Sequence, residues 1–458
     1  MIATTLLLTL VTTLPAEDPP EKAPTPRAKP LTVYRWKSKN DLRFTWATPK
    51  GYDGKTPRNL TVICHGTGLD YRWGHWNNKP EVFRPDDIVV SVDGPSPGAN
   101  STRLFLGKSQ DAKAMHAFLG ELRQEFKIDR IFLYGHSQGG FFVVYYAGEY
   151  PADVAGVVAH ASGHWGWSKT GKPVKKVAIS FMHGTMDPVV PYRQSVGSRD
   201  QYAKQSFPML NLRRLSRYNH WPNGVRASEE VAWCDGMTTS QPEQALAAAE
   251  WILKPKPADE YQWQTVVGAA GARAVLRRLV DDGHKPFSDV APAVRKKAKT
   301  LIQELEKAGA AHVKALAAAV GKSVGSAKLN GKPWLGHIVA LREDFRGVDT
   351  VEAFVKAIGY DAARKKHLKA TKAIFDAWYS RKKDDGKLVR AVLKTLPKVF
   401  LYEGLPPQLG KRMRELEKAS NQLKLSKKER AAFKTFENWD KGWRDGLKAY
   451  AKIWKKWK

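Results

Sequence analysis

Hydrophobic positions in the first half of the chain fall into short dense runs, set apart by glycine, proline and charge. Leu31–Trp36 and Leu42–Trp46 read as two strands joined by the polar turn Lys37-Ser38-Lys39-Asn40-Asp41. Leu60–Cys64 predicts a third strand, running into His65-Gly66-Thr67-Gly68. Asp87–Val92 predicts a fourth, ending at Asp93-Gly94-Pro95. Over Gln110–Phe126 the spacing turns helical, with Ala114, Phe118, Leu119 and Leu122 on one face. More strands are expected at Ile131–Tyr134, Val154–His160, Val177–Phe181 and Leu210–Leu215. Helices are expected at Phe141–Tyr150, from about Tyr192, and over Val231–Leu253. Strands alternating with helices predict an α/β fold: a mostly parallel sheet covered by helices on both faces. Ligands then bind outside the carboxyl ends of the strands.

After Pro257 the β-branched runs thin out, and Ala, Lys, Arg and Leu dominate. Helices are expected at Ala274–Asp282, Val290–Ala308, Ala310–Val320, Val351–Gly359, Ala362–Arg381, Leu388–Leu396, Lys411–Leu423 and Lys427–Trp457. Val294, Ala298, Leu301, Ile302 and Leu305 share a face in the second of these. Residues 259–458 therefore read as a separate all-helical region, joined by Lys254-Pro255-Lys256-Pro257 to a domain over residues 31–254.

Charge sharpens this division. The formal net charge is +31; residues 1–250 hold 30 Lys+Arg against 23 Asp+Glu, and residues 251–458 hold 46 against 22. The basic excess belongs to the C-terminal region. On a helix Trp443, Leu447, Tyr450 and Trp454 share a face, with lysines largely on the others. That pattern fits first a packed helix with a solvated cationic face, and second a dock for a polyanion: an acidic cell-surface polymer, anionic lipid or nucleic acid. No motif supports specific nucleic-acid recognition. At the other end, residues 1–16 form an apolar run too short to span a bilayer and resemble a secretory signal peptide, which predicts a secreted or periplasmic protein. The Pro-rich, charged residues 17–30 read as a disordered or extended lead-in. Two cysteines exclude a disulfide framework and a Cys-rich zinc site. Cys64 sits in an apolar strand pattern and reads as a buried thiol; pairing with Cys234 stays open.

The candidate chemistry centres on Gly135-His136-Ser137-Gln138-Gly139, placed between a strand and a helix. This is the G-x-S-x-G nucleophile elbow in its expected context. A serine at the tip of a sharp turn keeps its Oγ clear of the sheet, and the following helix points free N–H groups at the reaction centre. A serine nucleophile needs a base and a carboxylate to orient that base. Asp187 follows the strand Val177–Phe181 on a turn with Gly184 and Pro188, and is the candidate acid. His220 lies in the loop after the last strand and is the candidate base. His164 precedes the acid, the wrong chain order for this kind of sheet. The oxyanion donors are expected to be the backbone N–H groups of Gln138 and Thr67, with Gly68 second to Thr67. Trp73, Trp76, Trp165, Trp167 and Trp221 crowd the loops at the same edge. Trp165, Trp167 and Trp221 are the candidate substrate contacts, since aromatic walls suit a sugar, an aromatic acyl group or a polymer chain. The twelve histidines show no H-E-x-x-H or similar spacing, so neither a metal nor another cofactor is called for.

These residues carry a resemblance. His65-Gly66, Gly135-His136-Ser137-Gln138-Gly139-Gly140, His183-Gly184-Thr185-Met186-Asp187 with Val190-Pro191-Tyr192, and His220-Trp221-Pro222 resemble the α/β-hydrolase fold. They are similar to secreted esterases of the feruloyl-esterase and polyhydroxyalkanoate-depolymerase type, and to dienelactone-hydrolase-like proteins. The resemblance covers about residues 31–254. It implies Ser137 as nucleophile, Asp187 as acid and His220 as base of a serine esterase; with the N-terminal segment and the aromatic loops, an exported enzyme acting on polysaccharide-linked or polymeric esters is expected. A serine peptidase on the same fold, and a surface-binding protein with a secondary or inactive hydrolase domain, are the alternatives.

Overall fold

The structure is a computed structural model that describes residues 18–99, 101–185, 187–215, 218–221, 224–254, 268–320, 335–378, 385–395 and 409–441 without 424, 428 and 432, together with residue 445. The predicted signal segment 1–16 and the tail positions Trp443, Leu447, Tyr450 and Trp454 lie outside these residues. The chain divides into two compact units.

The first unit holds residues up to 160, with 164–177 and 222–231. Its elements are β1 (Tyr34–Lys37), β2 (Arg43–Ala47), β3 (Arg58–Cys64), α1 (Trp73–Asn77), α2 (Pro80–Phe83), β4 (Ile88–Val92), β5 (Ser96–Pro97), β6 (Arg103–Leu104), α3 (Ser109–Glu125), β7 (Ile128–His136), α4 (Gln138–Glu149) and β8 (Gly156–His160). Six of the strands form a sheet in the order β1-β2-β4-β3-β7-β8. β1, β2 and β4 pair antiparallel. β3 runs parallel to β4 and β7, and β7 parallel to β8. Val62, opposite Val90 and Leu133, is fully buried, as are Val90, Leu133, Val157 and Val158. That is why these strands read as unbroken apolar runs: a sheet covered on both faces has no polar side to alternate with. The lead-in is extended along the edge, with Arg35 N–H donating to Pro20 O (3.0 Å) and Lys22 N–H to Arg35 O (3.1 Å). The two one-turn helices and the β5–β6 hairpin are too short to print a period on the sequence.

The second unit holds residues 161–163, 178–221 and 232 onward. β9 (Ala178–Gly184) and β10 (Leu210–Leu215) pair parallel, with α5 (Arg193–Lys204) packed on both. β9 runs three residues beyond the expected strand end at Phe181 and takes in Met182-His183-Gly184. The helix expected over Val231–Leu253 is two, α6 (Gly224–Thr238) and α7 (Pro242–Leu253). Pro242 has no N–H to continue a helix and takes the first helical position instead. Thr239 Oγ1 accepts the Gln241 N–H at 3.0 Å in the break.

The opposite correction applies further on. Two expected helices are one, α9 (Pro292–Val320), which follows α8 (Ala269–Arg277). Gly309 does not break it; a Cβ there would sit 3.1 Å from Val348 and Val351 side chains, so the glycine serves close packing. α10 (Leu335–Asp344), not anticipated, precedes α11 (Asp349–Ala357), α12 (Tyr360–Trp378), α13 (Asp385–Thr395) and α14 (Leu409–Lys418). These helices do not stand clear of β10. Arg346 donates to Asn211 Oδ1 at 3.2 Å, and Arg213 lies 3.7 Å from Asp344. Arg278 donates to the carbonyls of Gly236 and Thr239. Cys64 and Cys234 are both buried thiols. Among the described residues no helix is long and apolar enough to cross a membrane.

Candidate active site

In the first unit, the end of β7 delivers Ser137 to a turn with φ +53° and ψ −116°. Such backbone is strained for a side chain with a Cβ, and it persists only where neighbours fix it. Three close approaches fix it here. A Cβ on Gly135 would lie 2.2 Å from Gly139 O, and one on Gly139 would lie 2.3 Å from Cys64 O and 2.6 Å from His65 O. The Ser137 N–H donates to His160 O at 2.9 Å, and the Ser137 carbonyl accepts from Phe141 N–H at 3.2 Å. Both elbow glycines are therefore demanded by backbone packed against backbone. α4 begins at Gln138 itself, whose N–H, at the first helical position, has no partner within the helix.

The loop after β3 lies against this elbow. A Cβ on Gly66 would be 3.1 Å from Ser137 Cβ and 3.0 Å from the His136 ring. His65, fully buried, sets the loop's shape. Its Nε2 accepts from Gly94 N–H at 3.2 Å, so its Nδ1–H donates to Gly66 O at 2.8 Å. Burial also disfavours the charged form of His65 and lowers its pKa. Leu69 N–H donates to the same carbonyl at 3.2 Å, and Tyr71 N–H to Asp93 Oδ1 at 3.0 Å. With the Gly66 carbonyl tied down, the planar peptide fixes the direction of the Thr67 N–H. Thr67 itself is exposed.

Aromatic rings stand over the start of α4. Trp165 stacks on Phe141 (5.7 Å, 21°) and Trp167 stacks on Trp165 (5.5 Å, 15°). Gly107 makes room for both, since a Cβ there would be 2.3 Å from one indole and 2.7 Å from the other. Trp167 is 57% exposed, which leaves an open ring face. Trp76 is also exposed, but Trp73 is fully buried and stacks on His136 at 5.3 Å, so it is a packing residue.

In the second unit, β9 and β10 end side by side, with Gly184 opposite Leu215. Asp187 follows β9, and His220 follows β10. The loop carrying His220 crosses directly over Gly184, where a Cβ would be 2.4 Å from the carbonyls of Tyr218 and Asn219. Asp187 Oδ1 accepts the N–H groups of Val189 and Val190, both at 2.8 Å. Its Oδ2 lies 2.7 Å from His220 Nδ1 and 3.0 Å from His183 Nε2. Burial by itself raises this carboxyl, but the bonds from His183 and His220 outweigh it and hold Asp187 well below the ordinary carboxylate range. An ionised Asp187 accepting from Nδ1–H fixes His220 in the tautomer whose Nε2 lone pair can take a proton. Trp221, half-buried, has its N–H on Asn219 Oδ1 at 2.9 Å.

His183 is the residue here whose contact the motif reading did not anticipate; its signal was the histidine four residues before Asp187. Among the described residues no group of His, Cys, Asp and Glu could hold a metal.

A family model described as serine aminopeptidase, S33, matches residues 109–305. A bifunctional acetylxylan esterase/xylanase from Neocallimastix patriciarum is 29% identical over 150 residues, 32% of this chain and 22% of that protein. The chain thus spans about a fifth of that relative's length. Among solved structures, the Bacillus cereus carboxylesterase is 18% identical, with 43% of this chain and 99% of that one covered, at a TM-score of 0.35. Est1E from Butyrivibrio proteoclasticus is 16% identical, with 43% and 95% covered, at a TM-score of 0.33. The elbow, the strand order and the family match give the chain the α/β-hydrolase fold, as the motifs led one to expect.

Proposed function

We propose that this chain is a serine esterase in which Ser137, His220 and Asp187 act as nucleophile, base and acid. The observation that carries this reading is Ser137 on a left-handed turn between β7 and α4, with Gly66 against it. His220 takes the Ser137 proton as Oγ attacks an ester carbonyl. The tetrahedral oxyanion rests on the N–H groups of Gln138 and Thr67, which are fixed before the reaction begins and so need no reorganisation. His220 then gives its proton to the leaving alcohol, and water releases the acyl group by the same path.

The substrate we infer is an ester on a polysaccharide or other polymer, with Trp165, Trp167 and Trp221 as its aromatic contacts. The similarity to an acetylxylan esterase supports the ester bond and the polysaccharide. Export, with residues 1–16 as a signal and a secreted or periplasmic destination, belongs to the same reading. So does a polyanion-facing role for the basic C-terminal region, supported by its charge alone; salt-sensitive retention on an anionic resin, lost when tail lysines are neutralised, is its test.

The test of the activity is hydrolysis of p-nitrophenyl acetate by the full chain beside Ser137→Ala. The expected result is turnover by the first and a loss of about a thousandfold or more in the second. Equal rates in the two would overturn the assignment. Because the matching family is described as an aminopeptidase, amino-acid p-nitroanilides are the second substrate set; faster turnover of these than of esters would favour the peptidase reading.

A further inference from the structure

His183 is fully buried, touches the candidate acid, and has no step in the mechanism above. Its surroundings account for every polar atom of the ring. The Ser195 hydroxyl donates to the Ser162 carbonyl at 2.5 Å, so toward His183 the Ser195 oxygen can only accept. His183 Nδ1, 2.7 Å from that oxygen, must therefore carry a proton. His183 Nε2 faces two oxygens that only accept, Asp187 Oδ2 at 3.0 Å and Val190 O at 2.9 Å, so it carries a proton as well. Tyr192 closes the site with its ring edge-on to the imidazole, 5.7 Å between centroids. A ring with a proton on each nitrogen is a cation, set against a carboxylate that would otherwise be a lone buried charge.

We propose that His183 is a positioning residue for Asp187: a buried imidazolium, anchored through Ser195 to the Ser162 carbonyl, that shares Oδ2 with His220 and keeps the carboxylate ionised and aimed. The proposal rests on the reading of Asp187 and His220 as acid and base, and gives the acid a dedicated counter-ion. Oδ1 is held by two backbone N–H groups and Oδ2 by two histidines, so the carboxylate cannot rotate without losing donors. The anchor also explains why the chain brings Ser162 and Ser195, far apart in sequence, to one place.

A double-mutant cycle on the full chain tests this. His183→Leu removes both donors at similar volume, and His183→Gln keeps one. With active sites counted by a fluorophosphonate probe, His183→Leu is expected to lower kcat for p-nitrophenyl acetate about 10- to 100-fold with KM unchanged, the loss of a hydrogen bond to a charged group. His183→Gln is expected to recover part of this. In an Asp187→Asn background, His183→Leu should change kcat little, because its target is gone. An equal loss in both backgrounds would overturn the proposal. The second measurement needs no activity and covers a variant that fails to fold. In protein labelled with 15N-histidine, a ring with a proton on each nitrogen is expected, its signals absent in His183→Gln. A single-proton tautomer at His183 would overturn the proposal even with the triad intact. Retained activity in Ser137→Ala would instead sink the triad reading and leave the His183 result standing.

Discussion

At the scale of single residues, the motif glycines matter by what they let through. Gly139 and Gly184 each admit a backbone carbonyl to within 2.6 Å of where a Cβ would be. Neither approach can be relieved by rotating a side chain. Gly139→Ala is expected to cost about 1–3 kcal/mol, measured as a lower urea midpoint with unchanged slope. Asp187 offers a pH-dependent counterpart. Its carboxyl lies well below the ordinary 3.8 because the His183 and His220 bonds outweigh the upward push of burial. A depressed carboxylate contributes stability that is complete above its unfolded value and is lost as pH falls through its folded one. The stability gap between the natural chain and Asp187→Asn, followed by urea denaturation across pH, is expected to be widest near neutrality and to shrink below about pH 4. An unchanged gap at pH 3 would contradict the bonding seen at Oδ2. These positions were legible in the sequence, since G-x-S-x-G and an aspartate and a histidine after successive strands are local patterns. The contact of His183 with Asp187 spans only four residues, but its anchor was not legible, because Ser162 and Ser195 arrive from distant parts of the chain.

At the scale of elements, the buried strands were the easiest to read. Leu210–Leu215 falls where its apolar run predicts, and β9 overruns its expected end only because His183 and Gly184 are buried like the strand before them. Helix breaks depart from the sequence pattern in both directions. Pro242 ends one pattern that looks continuous, whereas Gly309 is carried through because neighbouring side chains pack against its missing Cβ. Weak local preference gave way to tertiary packing in the second case. The ladder Phe141–Trp165–Trp167 is an element of its own, held by Gly107. In the function proposed above, its outer ring meets the polymer and not the small acyl group. Trp167→Ala is accordingly expected to leave p-nitrophenyl acetate turnover within about twofold, and to lower kcat/KM on acetylated xylan about tenfold. Equal effects on both would place Trp167 outside substrate binding.

At the scale of the whole molecule, composition divides the chain near residue 257 while the contacts of the second unit run across that point. Arg278 bonds the carbonyls of Gly236 and Thr239, Arg346 bonds Asn211, and a Cβ on Gly236 would meet Val275 at 2.6 Å. A change in composition reports which elements a segment forms and not what those elements pack on. A chain ending at Lys254 would uncover Trp233 and Ile252 on α6 and α7, both buried, where Gly271 and Gly268 pack against them. It is expected to melt at least several degrees below the full chain by circular dichroism, and an equal melting temperature would show the helical region to be independent. The central claim is the nucleophile. The most direct measurement is peptide mapping of the full chain after reaction with a fluorophosphonate, beside Ser137→Ala. One adduct on Ser137, absent from the variant, is the predicted result. An unreacted protein, or an adduct that persists in Ser137→Ala, would contradict the account.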